Sequence, residues 1–242
     1  MTVGDEPRPA APIPGRLRSM RIFCDFDGTA TQGDSTDLVL EALADPRWRE
    51  LQAEWERGRL SGAACMAGQV ALIGGGAADL DAVLERVELD PGFAALVAWS
   101  EARGLALSLV SDGVDYFIAR ILERHGLQRL QVVANRLAGA PGAQRLEHPP
   151  RPADCASGAG VCKCAAVAEA AADETVVFVG DGRSDFCVSA RADILFAKGA
   201  LAAHARAAGT PYRPFETLHD VRRALSALIA APPTAPACVA TL

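Results

Sequence analysis

No stretch of the sequence is long and apolar enough to cross a membrane, although half of its 242 residues are hydrophobic. Residues 1–19 contain proline, glycine and arginine but no apolar segment of the kind found in secretory signals. We therefore expect a disordered leader over 1–19, with translation starting at Met1 or at Met20, and a disordered, proline-containing tail over 231–242. These absences disfavour a membrane as a partner of the protein.

The chain also has little excess charge, since 24 Lys and Arg stand against 30 Asp and Glu and leave a formal net charge of −6. This balance disfavours nucleic acid as a partner, while it is compatible with a local basic pocket for a small anion. The hydrophobic half of the composition allows a substantial core and excludes global disorder. The length suits one large domain or a core domain with a modest insert.

The cysteines lack the pattern of a disulfide framework, because the seven are odd in number and unevenly spaced. A chain of this length also does not need disulfide bonds to be stable. We expect reduced thiols and a cytoplasmic enzyme. Cys155, Cys162 and Cys164 lie close together in sequence, but their spacing matches no common zinc site. We favour a loop with ordinary thiols and keep a metal site as the alternative.

Short apolar runs alternate with helical patterns along most of the chain. The runs predict buried parallel strands at 21–24, 106–110, 174–179 and 194–196, with a fifth candidate at 130–134. The helical patterns cover 116–125, 164–172, 184–190, 201–208 and 216–229. This alternation predicts an α/β fold, a Rossmann-like open parallel sheet with helices on both faces, whose ligands bind at the carboxyl ends of the strands.

Between the first two strands the pattern is helical only, and it carries no strand signal. We predict an α-helical cap over 34–104, inserted into a core of 20–33 and 105–230 and lying over the site. Trp48 and Trp55 recur at helical spacing within this cap, and we expect both to serve in its packing.

The first strand ends at two carboxylates, Asp25 and Asp27, which are followed by Gly28 and Thr29. Two residues apart on an extended chain, these carboxylates leave the strand on the same side. One can then attack as a nucleophile while the other transfers a proton. The same Asp-x-Asp-Gly pattern also occurs in calcium-binding loops. The apolar run before it and three elements downstream favour catalysis.

Two of those downstream elements suit an anion. Ser111, with Asp112 and Gly113, follows the second strand, where a hydroxyl and backbone N–H groups can bind phosphate oxygens. The alternative for Ser111 is a helix N-cap. Lys163 begins a predicted helix, a position where the helix dipole disfavours a cation, which indicates a negatively charged ligand. The alternative there is a solvated surface lysine.

The third downstream element is acidic, since Asp181 and Asp185 follow the most apolar strand of the chain. Brought together with Asp25 and Asp27, each like-charge pair at about 4 Å costs roughly 4 kcal/mol at an effective dielectric of 20. A phosphate would add to that repulsion, and a divalent cation that prefers oxygen ligands would relieve it. The constellation therefore predicts Mg²⁺ as a cofactor.

In order along residues 21 to about 228, these elements resemble the four motifs of the haloacid dehalogenase-like superfamily, in its phosphatase branch. The resemblance implies that Asp25 is the nucleophile that forms an aspartyl-phosphate and that Asp27 is the general acid and base. It implies that Asp25, Asp181 and the backbone carbonyl of Asp27 bind Mg²⁺, with support from Asp185. The phosphate-binding residues that it implies are Thr29, Ser111, Asp112, Gly113 and Lys163.

Within that superfamily the helical insert resembles the phosphoserine phosphatase group. The loop before Lys163 and the run 184–198 are similar to the methionine-salvage phosphatases, which act on 2-hydroxy-3-keto-5-methylthiopentenyl 1-phosphate. The resemblance implies hydrolysis of that or a similar small phosphorylated metabolite. The alternatives are phosphoethanolamine, phosphocholine or phosphoserine.

Asp34 stands where phosphoserine phosphatases carry a glutamate that helps to hold the substrate amine. The shorter acid disfavours phosphoserine as the substrate. Asp34 is either a substrate residue or merely the N-cap of the first cap helix. Rival functions are a phosphomutase, a receiver-like phospho-acceptor domain and a fold that has lost turnover. We expect a monomer or a homodimer.

Overall fold

The computed structural model describes residues 19–140, 142–152, 155, 157–170 and 172–230. The predicted tail, and the predicted leader up to residue 18, lie outside the described residues. Within the described ranges, no helix combines the length and the apolar character needed to cross a membrane.

The described residues form one open sheet in the strand order β4-β3-β2-β1-β5-β6-β7. All neighbours run parallel except β3 and β4. The strands are β1 Met20–Cys24, β2 Ala106–Val114, β3 Gln131–Ala138, β4 Arg145–Glu147, β5 Thr175–Gly180, β6 Ile194–Ala197 and β7 Arg213–Pro214. All five predicted strands are confirmed. The short strands β4 and β7, of three and two residues, carry no apolar run that would have predicted them.

Helices cover both faces of this sheet, as the sequence predicts. The helices are α1 Ser35–Leu43, α2 Trp48–Glu56, α3 Gly62–Val70, α4 Ala77–Leu84, α5 Phe93–Glu101, α6 Asp115–Arg124, α7 Lys163–Val167, α8 Gly199–Ala208 and α9 Leu218–Ala230. Alternate residues of β1 divide between two apolar clusters. Ile22 and Cys24 lie with residues of α5, α6 and α9, whereas Phe23 lies with residues of α7 and α8. The central strand is thus buried on both sides.

Two of the predicted helices are wrong in extent or in kind. The helix predicted over 164–172 ends at Val167, because Ala168 and Glu169 are exposed and have no apolar face to bury. The helix predicted over 184–190 is replaced by two 3₁₀ turns, Arg183–Asp185 and Ser189–Arg191. The Asp185 carboxylate accepts from the backbone N–H of Gly182 at 3.1 Å, and this local bond holds the chain in the tighter turn.

The segment between β1 and β2 is helical, and both of its ends meet beside the core. Thr31 forms an antiparallel bridge with Leu89, and Asp90 N–H donates to the Ala30 carbonyl at 2.8 Å. Helix α5 follows this junction and packs against α9 and β2, which belong to the core. We propose that the cap therefore ends near residue 89, before α5, and not at residue 104.

Candidate active site

The carboxyl ends of β1, β2 and β5 meet at one cavity of about 310 Å³. Cys24 pairs with Leu109 on one side and with Val179 on the other, so the residues that follow these strands become neighbours. Seven of the predicted site residues line the cavity: Asp25, Asp27, Asp34, Ser111, Asp112, Gly113 and Asp181. The other three, Thr29, Lys163 and Asp185, are completely buried. The parallel sheet thus brings together residues from four separate parts of the sequence.

Three buried charged side chains contact one another beneath the cavity. Lys163 Nζ lies 2.7 Å from Asp25 Oδ1 and 2.6 Å from Asp185 Oδ1. Burial alone would lower the pKa of Lys163, but Asp185 and Asp25 outweigh it and raise the pKa above its ordinary value. Burial and then Asp185 raise the pKa of Asp25, while Lys163 opposes them. The lysine is therefore a permanent cation that offsets two enclosed carboxylates.

Further hydrogen bonds fix the orientation of these acids. The Phe26 N–H donates to Asp25 Oδ1 at 2.8 Å, and the N–H groups of Asp181 and Gly182 both donate to Asp185 Oδ2 at 3.1 Å. Backbone donors at two strand ends thus hold the carboxylates in single orientations.

Thr29 holds Asp181 in place. Its Oγ1 donates to Asp181 Oδ1 at 2.9 Å, so a residue of the predicted phosphate-binding set contacts a carboxylate of the predicted metal set. Gly28 lies against the same carboxylate with φ of +73°, and a Cβ there would come within 2.6 Å of Asp181 Oδ2. The glycine of the Asp-x-Asp-Gly pattern is thus required both for its backbone angle and for this close approach.

Three carboxylates are close enough to share a cation. Oxygen atoms of Asp25, Asp181 and Asp185 all lie within 4.8 Å of one another, and an oxygen-only donor set suits Mg²⁺. Burial raises the pKa of Asp181, which shows that its charge is poorly solvated. The Asp27 side chain lies outside this set. Among the described residues, the cysteine trio predicted as an alternative metal site forms no comparable cluster.

Asp27 is held apart from this carboxylate set. The Ser35 N–H, in the first turn of α1, donates to Asp27 Oδ1 at 2.7 Å. Its other oxygen lies against Gly113, where a Cβ would come within 2.5 Å. Burial raises the pKa of Asp27, although the Ser35 hydrogen bond opposes the shift. A carboxyl that holds its proton more tightly than usual suits proton transfer.

The Ser111–Gly113 segment departs from regular strand geometry. The pairing of β2 with β3 shifts register between Val110 and Val114, and the intervening residues bulge at the end of β2. Ser111 is buried, and its Oγ accepts from the Gly113 N–H at 2.9 Å. The segment is thus a compact turn beside Asp27, and not the start of a helix.

Asp34 caps the first cap helix and also lines the cavity. Its Oδ1 accepts from the Asp37 N–H at 2.9 Å and so caps α1, while the side chain also lines the cavity. Although the residue as a whole is exposed, the protein around its carboxyl group shields that group from water and raises its pKa, and the neighbouring charges of Asp27 and Asp37 raise the pKa further.

The cap supplies one wall of the cavity, through a tryptophan that the sequence analysis assigned to packing. Trp48 is buried in the main core as expected, but Trp55 lines the cavity. The Arg183 guanidinium lies 4.9 Å from the centre of the Trp55 ring, so α2 meets the loop after β5 at this pair. Both tryptophans recur at helical spacing, so periodicity alone could not separate the packing residue from the cavity residue.

Comparisons of the sequence with known proteins agree with the motifs that form this site. A family model described as haloacid dehalogenase-like hydrolase matches residues 22–189. The chain is 29% identical over 213 residues to a 2-hydroxy-3-keto-5-methylthiopentenyl-1-phosphate phosphatase of Geobacillus kaustophilus, covering 86% of this chain and 96% of that protein. It is also 29% identical over 209 residues to the protein of the same name from Geobacillus thermodenitrificans, covering 84% and 94%.

The fold also resembles solved structures. A phosphoserine phosphatase captured as a phospho-aspartyl intermediate analogue superposes with a TM-score of 0.63 at 19% identity, covering 86% of this chain and 98% of that one. A probable phosphoserine phosphatase from Vibrio cholerae gives a TM-score of 0.68 at 21% identity, covering 90% and 67%. At such identities the likeness concerns the fold.

Proposed function

The chain belongs to the haloacid dehalogenase-like hydrolases, and from that premise we propose that it is a Mg²⁺-dependent phosphatase of small phosphate monoesters. The observation that carries the proposal is the convergence of Asp25, Asp27 and Asp181 on one cavity, with Lys163 buried behind them. A nucleophile, a separate proton donor and a cation site are all present within that space.

Asp25 is the proposed nucleophile. Its Oδ1 is engaged by Phe26 N–H and by Lys163, and we assign the attack to Oδ2. A bond forms between this oxygen and phosphorus while the ester bond to the leaving oxygen breaks, which gives an aspartyl-phosphate. Lys163 favours the ionised form of this carboxylate, because its charge opposes the upward shift in the pKa of Asp25.

Asp27 handles the protons of both steps. It gives its proton to the leaving oxygen in the first step and takes a proton from water in the second. That water attacks phosphorus, the bond to Asp25 breaks, and inorganic phosphate leaves with the enzyme restored. The Ser35 N–H holds the Asp27 carboxyl in one orientation through both steps.

The acidic set fits a Mg²⁺ ion. Asp25 and Asp181 would hold it, with Asp185 in support, and the bound ion would offset the negative charge of the carboxylates and of the phosphoryl group. Inside the cavity, Ser111 and the backbone of Asp112 and Gly113 are proposed to receive the phosphoryl oxygens.

The first candidate substrate is 2-hydroxy-3-keto-5-methylthiopentenyl 1-phosphate or a similar metabolite. Two curated relatives carry that name and match nearly their whole length. The cavity wall combines the amides of Gln52 and Gln69 with the apolar surface of Met66 and Trp55. Amides suit hydroxyl and carbonyl groups, and apolar surface suits a thioether.

An aminoalcohol phosphate is the second candidate, and one observation favours it. Asp34 and Asp37 both present carboxylates to the cavity beyond the reacting groups, where they would attract an ammonium group. The Trp55 ring, which also lines the cavity, would add attraction for a quaternary ammonium. Phosphoethanolamine and phosphocholine fit that description, and phosphoserine fits the ammonium half of it.

The decisive experiment is a panel of phosphate monoesters assayed for released phosphate. The panel contains the methionine-salvage phosphate, phosphoethanolamine, phosphocholine, phosphoserine and p-nitrophenyl phosphate as a generic reference. We expect the highest kcat/KM on the first compound, well above the reference. A preference for the amines would establish the second candidate. Phosphate transferred within the substrate and none released would identify a mutase.

A further inference from the structure

The bulge at the end of β2 interrupts the pairing of β2 with β3 in the Ser111–Gly113 segment. This is the segment proposed above to bind the phosphoryl oxygens. From Val110 to Val114, β2 uses two residues more than β3 uses between their partners, Val133 and Asn135. Carbonyl groups inside the bulge therefore lose regular ladder partners, and buried carbonyl groups need a donor.

Asn135 supplies that donor. It lies on β3 and is completely buried. Its Nδ2 donates to the carbonyl oxygen of Asp112, and the same group lies 3.3 Å from the carbonyl oxygen of Gly113 and 3.2 Å from Asp112 Oδ1. One side-chain amide thus holds the turn that carries Ser111 and Gly113.

His148 fixes the orientation of that amide. His148 Nδ1 lies 2.7 Å from Asn135 Oδ1. Since Nδ2 of Asn135 is committed to carbonyl acceptors, its Oδ1 is the acceptor here, and the hydrogen lies on His148 Nδ1. A flip of the amide would place two acceptors together on the turn and two donors together at His148.

The same pair also contacts the segment that carries Lys163. A Cβ on Gly160 would lie 2.3 Å from Asn135 Oδ1 and 2.4 Å from His148 Nδ1, so this backbone passes directly over the pair. One residue later, the Val161 N–H donates to Asp112 Oδ1 at 3.0 Å. The turn after β2 and the start of α7 therefore rest on one shared support.

We propose that Asn135, oriented by His148, is a positioning residue that sets the Ser111–Gly113 turn and the Lys163 segment in register for the phosphoryl group. This inference rests on the proposed phosphatase function. Asn135 touches no reacting atom in this scheme, and it acts through the backbone of Asp112 and Gly113. A displacement of about 1 Å at such a turn can cost roughly 10²-fold in rate.

The variant that tests this is Asn135→Asp, which keeps the size of the side chain and its acceptor but removes the donor. The control is Ser108→Ala, because Ser108 joins the same two strands by a 3.0 Å bond to Gln131 at the other end of the pairing. Both variants lower the melting temperature. We expect Asn135→Asp to lose about 10²-fold in kcat/KM on p-nitrophenyl phosphate.

Two further readouts separate positioning from loss of stability. Inorganic phosphate, titrated as an inhibitor and by calorimetry, should bind Asn135→Asp at least tenfold more weakly, whereas the Mg²⁺ concentration for half-maximal activity should change by less than about twofold. Ser108→Ala should retain the wild-type values of both. His148→Gln, which still offers an N–H, should retain phosphate affinity that His148→Phe loses.

Several results would overturn the inference. One is wild-type phosphate affinity in Asn135→Asp at a melting temperature as low as that of Ser108→Ala. If Asn135→Asp does not fold, equal phosphate affinity in His148→Gln and His148→Phe overturns it instead. Failure of the wild-type protein to release phosphate from any ester would defeat the proposed function, and calorimetry with inorganic phosphate would still decide the role of Asn135.

Discussion

At the scale of single residues, Asp25 and Asp27 divide the chemistry between them. Asp25→Asn should leave no measurable turnover, because an amide does not attack phosphorus. Asp27→Asn should slow the reaction by about 10²- to 10⁴-fold through loss of acid and base catalysis. The loss should be smaller on p-nitrophenyl phosphate, whose leaving group departs without a proton. Phosphate release from an alkyl and an aryl ester measures both effects.

The intact mass of the trapped intermediate provides the check on this assignment. Phosphorylation should raise the mass of the wild-type protein, and peptide mapping should place the added group on Asp25. A phosphoryl group on any other side chain would contradict the assigned nucleophile.

Lys163 has an electrostatic role that stability measurements can isolate. Lys163→Met leaves Asp25 and Asp185 buried without their cation, and removing one partner of a buried pair costs about 3–5 kcal/mol. The free energy of unfolding, from urea titration in chelator, measures this cost. Arg47→Met is the matched control, because it removes an exposed cation and should change little.

The pH dependence of this variant has a definite sign. Burial and Asp185 raise the pKa of Asp25, and Lys163→Met removes the charge that opposes them. The folded state then binds more protons than the unfolded state, so stability falls as pH rises above the unfolded carboxyl value of about 3.9. The free energy of unfolding of Lys163→Met should therefore lie closer to that of the wild type at pH 5 than at pH 8. A pH-independent deficit would show that lost packing alone explains the change.

At the scale of elements, the first cap helix begins on a residue that also faces the cavity. Asp34→Ala removes the N-cap of α1 and should lower the free energy of unfolding by about 0.5–2 kcal/mol. It should also lower kcat/KM for the best substrate while p-nitrophenyl phosphate is spared, if the carboxylate that lines the cavity recognises the leaving group as proposed. Urea unfolding and the two rate constants separate these roles. Equal losses on both substrates would contradict a role in recognition.

Helix α2 meets the core through Trp55 and Arg183, and this contact separates the catalytic cavity from a neighbouring groove lined by Phe186 and His204. Trp55→Ala should join the two spaces and raise KM for the small best substrate, with a smaller change in kcat. Trp55→Phe, which keeps an aromatic ring over Arg183, should restore most of the affinity. Steady-state kinetics of the two variants measures this. A fall in kcat alone would assign Trp55 to the reacting groups instead.

The elements that the sequence predicted correctly are those for which a parallel sheet leaves a clear pattern in the sequence. Buried parallel strands are continuous apolar runs, so β1 and β5 stood out, and acids directly after such runs marked Asp25 and Asp181. The 3₁₀ turn at Arg183–Asp185 escaped prediction because Asp185 bonds both to the local Gly182 N–H and to the distant Lys163, and hydrophobic periodicity carries no signal for either bond. Asn135 escaped for a similar reason, since its partners lie about twenty residues away along the chain.

At the scale of the whole molecule, the site depends on charge balance among groups from both halves of the chain. Treatment with excess chelator should abolish phosphate release, because Asp25, Asp181 and Asp185 then repel one another and an incoming phosphate dianion. Added Mg²⁺ should restore activity. Inorganic phosphate should raise the melting temperature with Mg²⁺ present and much less without it, as expected for a ligand that binds only the folded state. Full activity in excess chelator would contradict the assignment.

The two chain segments that meet at the base of the cap limit how far changes in the cap can affect the core. Ala30 to Thr31 and Leu89 to Asp90 run side by side, so the chain leaves the core and returns to it at nearly the same place. The length of a loop between two fixed neighbouring points adds little to its entropic cost, because each doubling costs only about 0.6 kcal/mol. A segment of different length or helix number can therefore replace α2 to α4 without moving β1, provided that α1 stays, because its Ser35 N–H orients Asp27. The carboxylates at the end of β1 and the cavity wall formed by Trp55 are thus set by separate stretches of the chain.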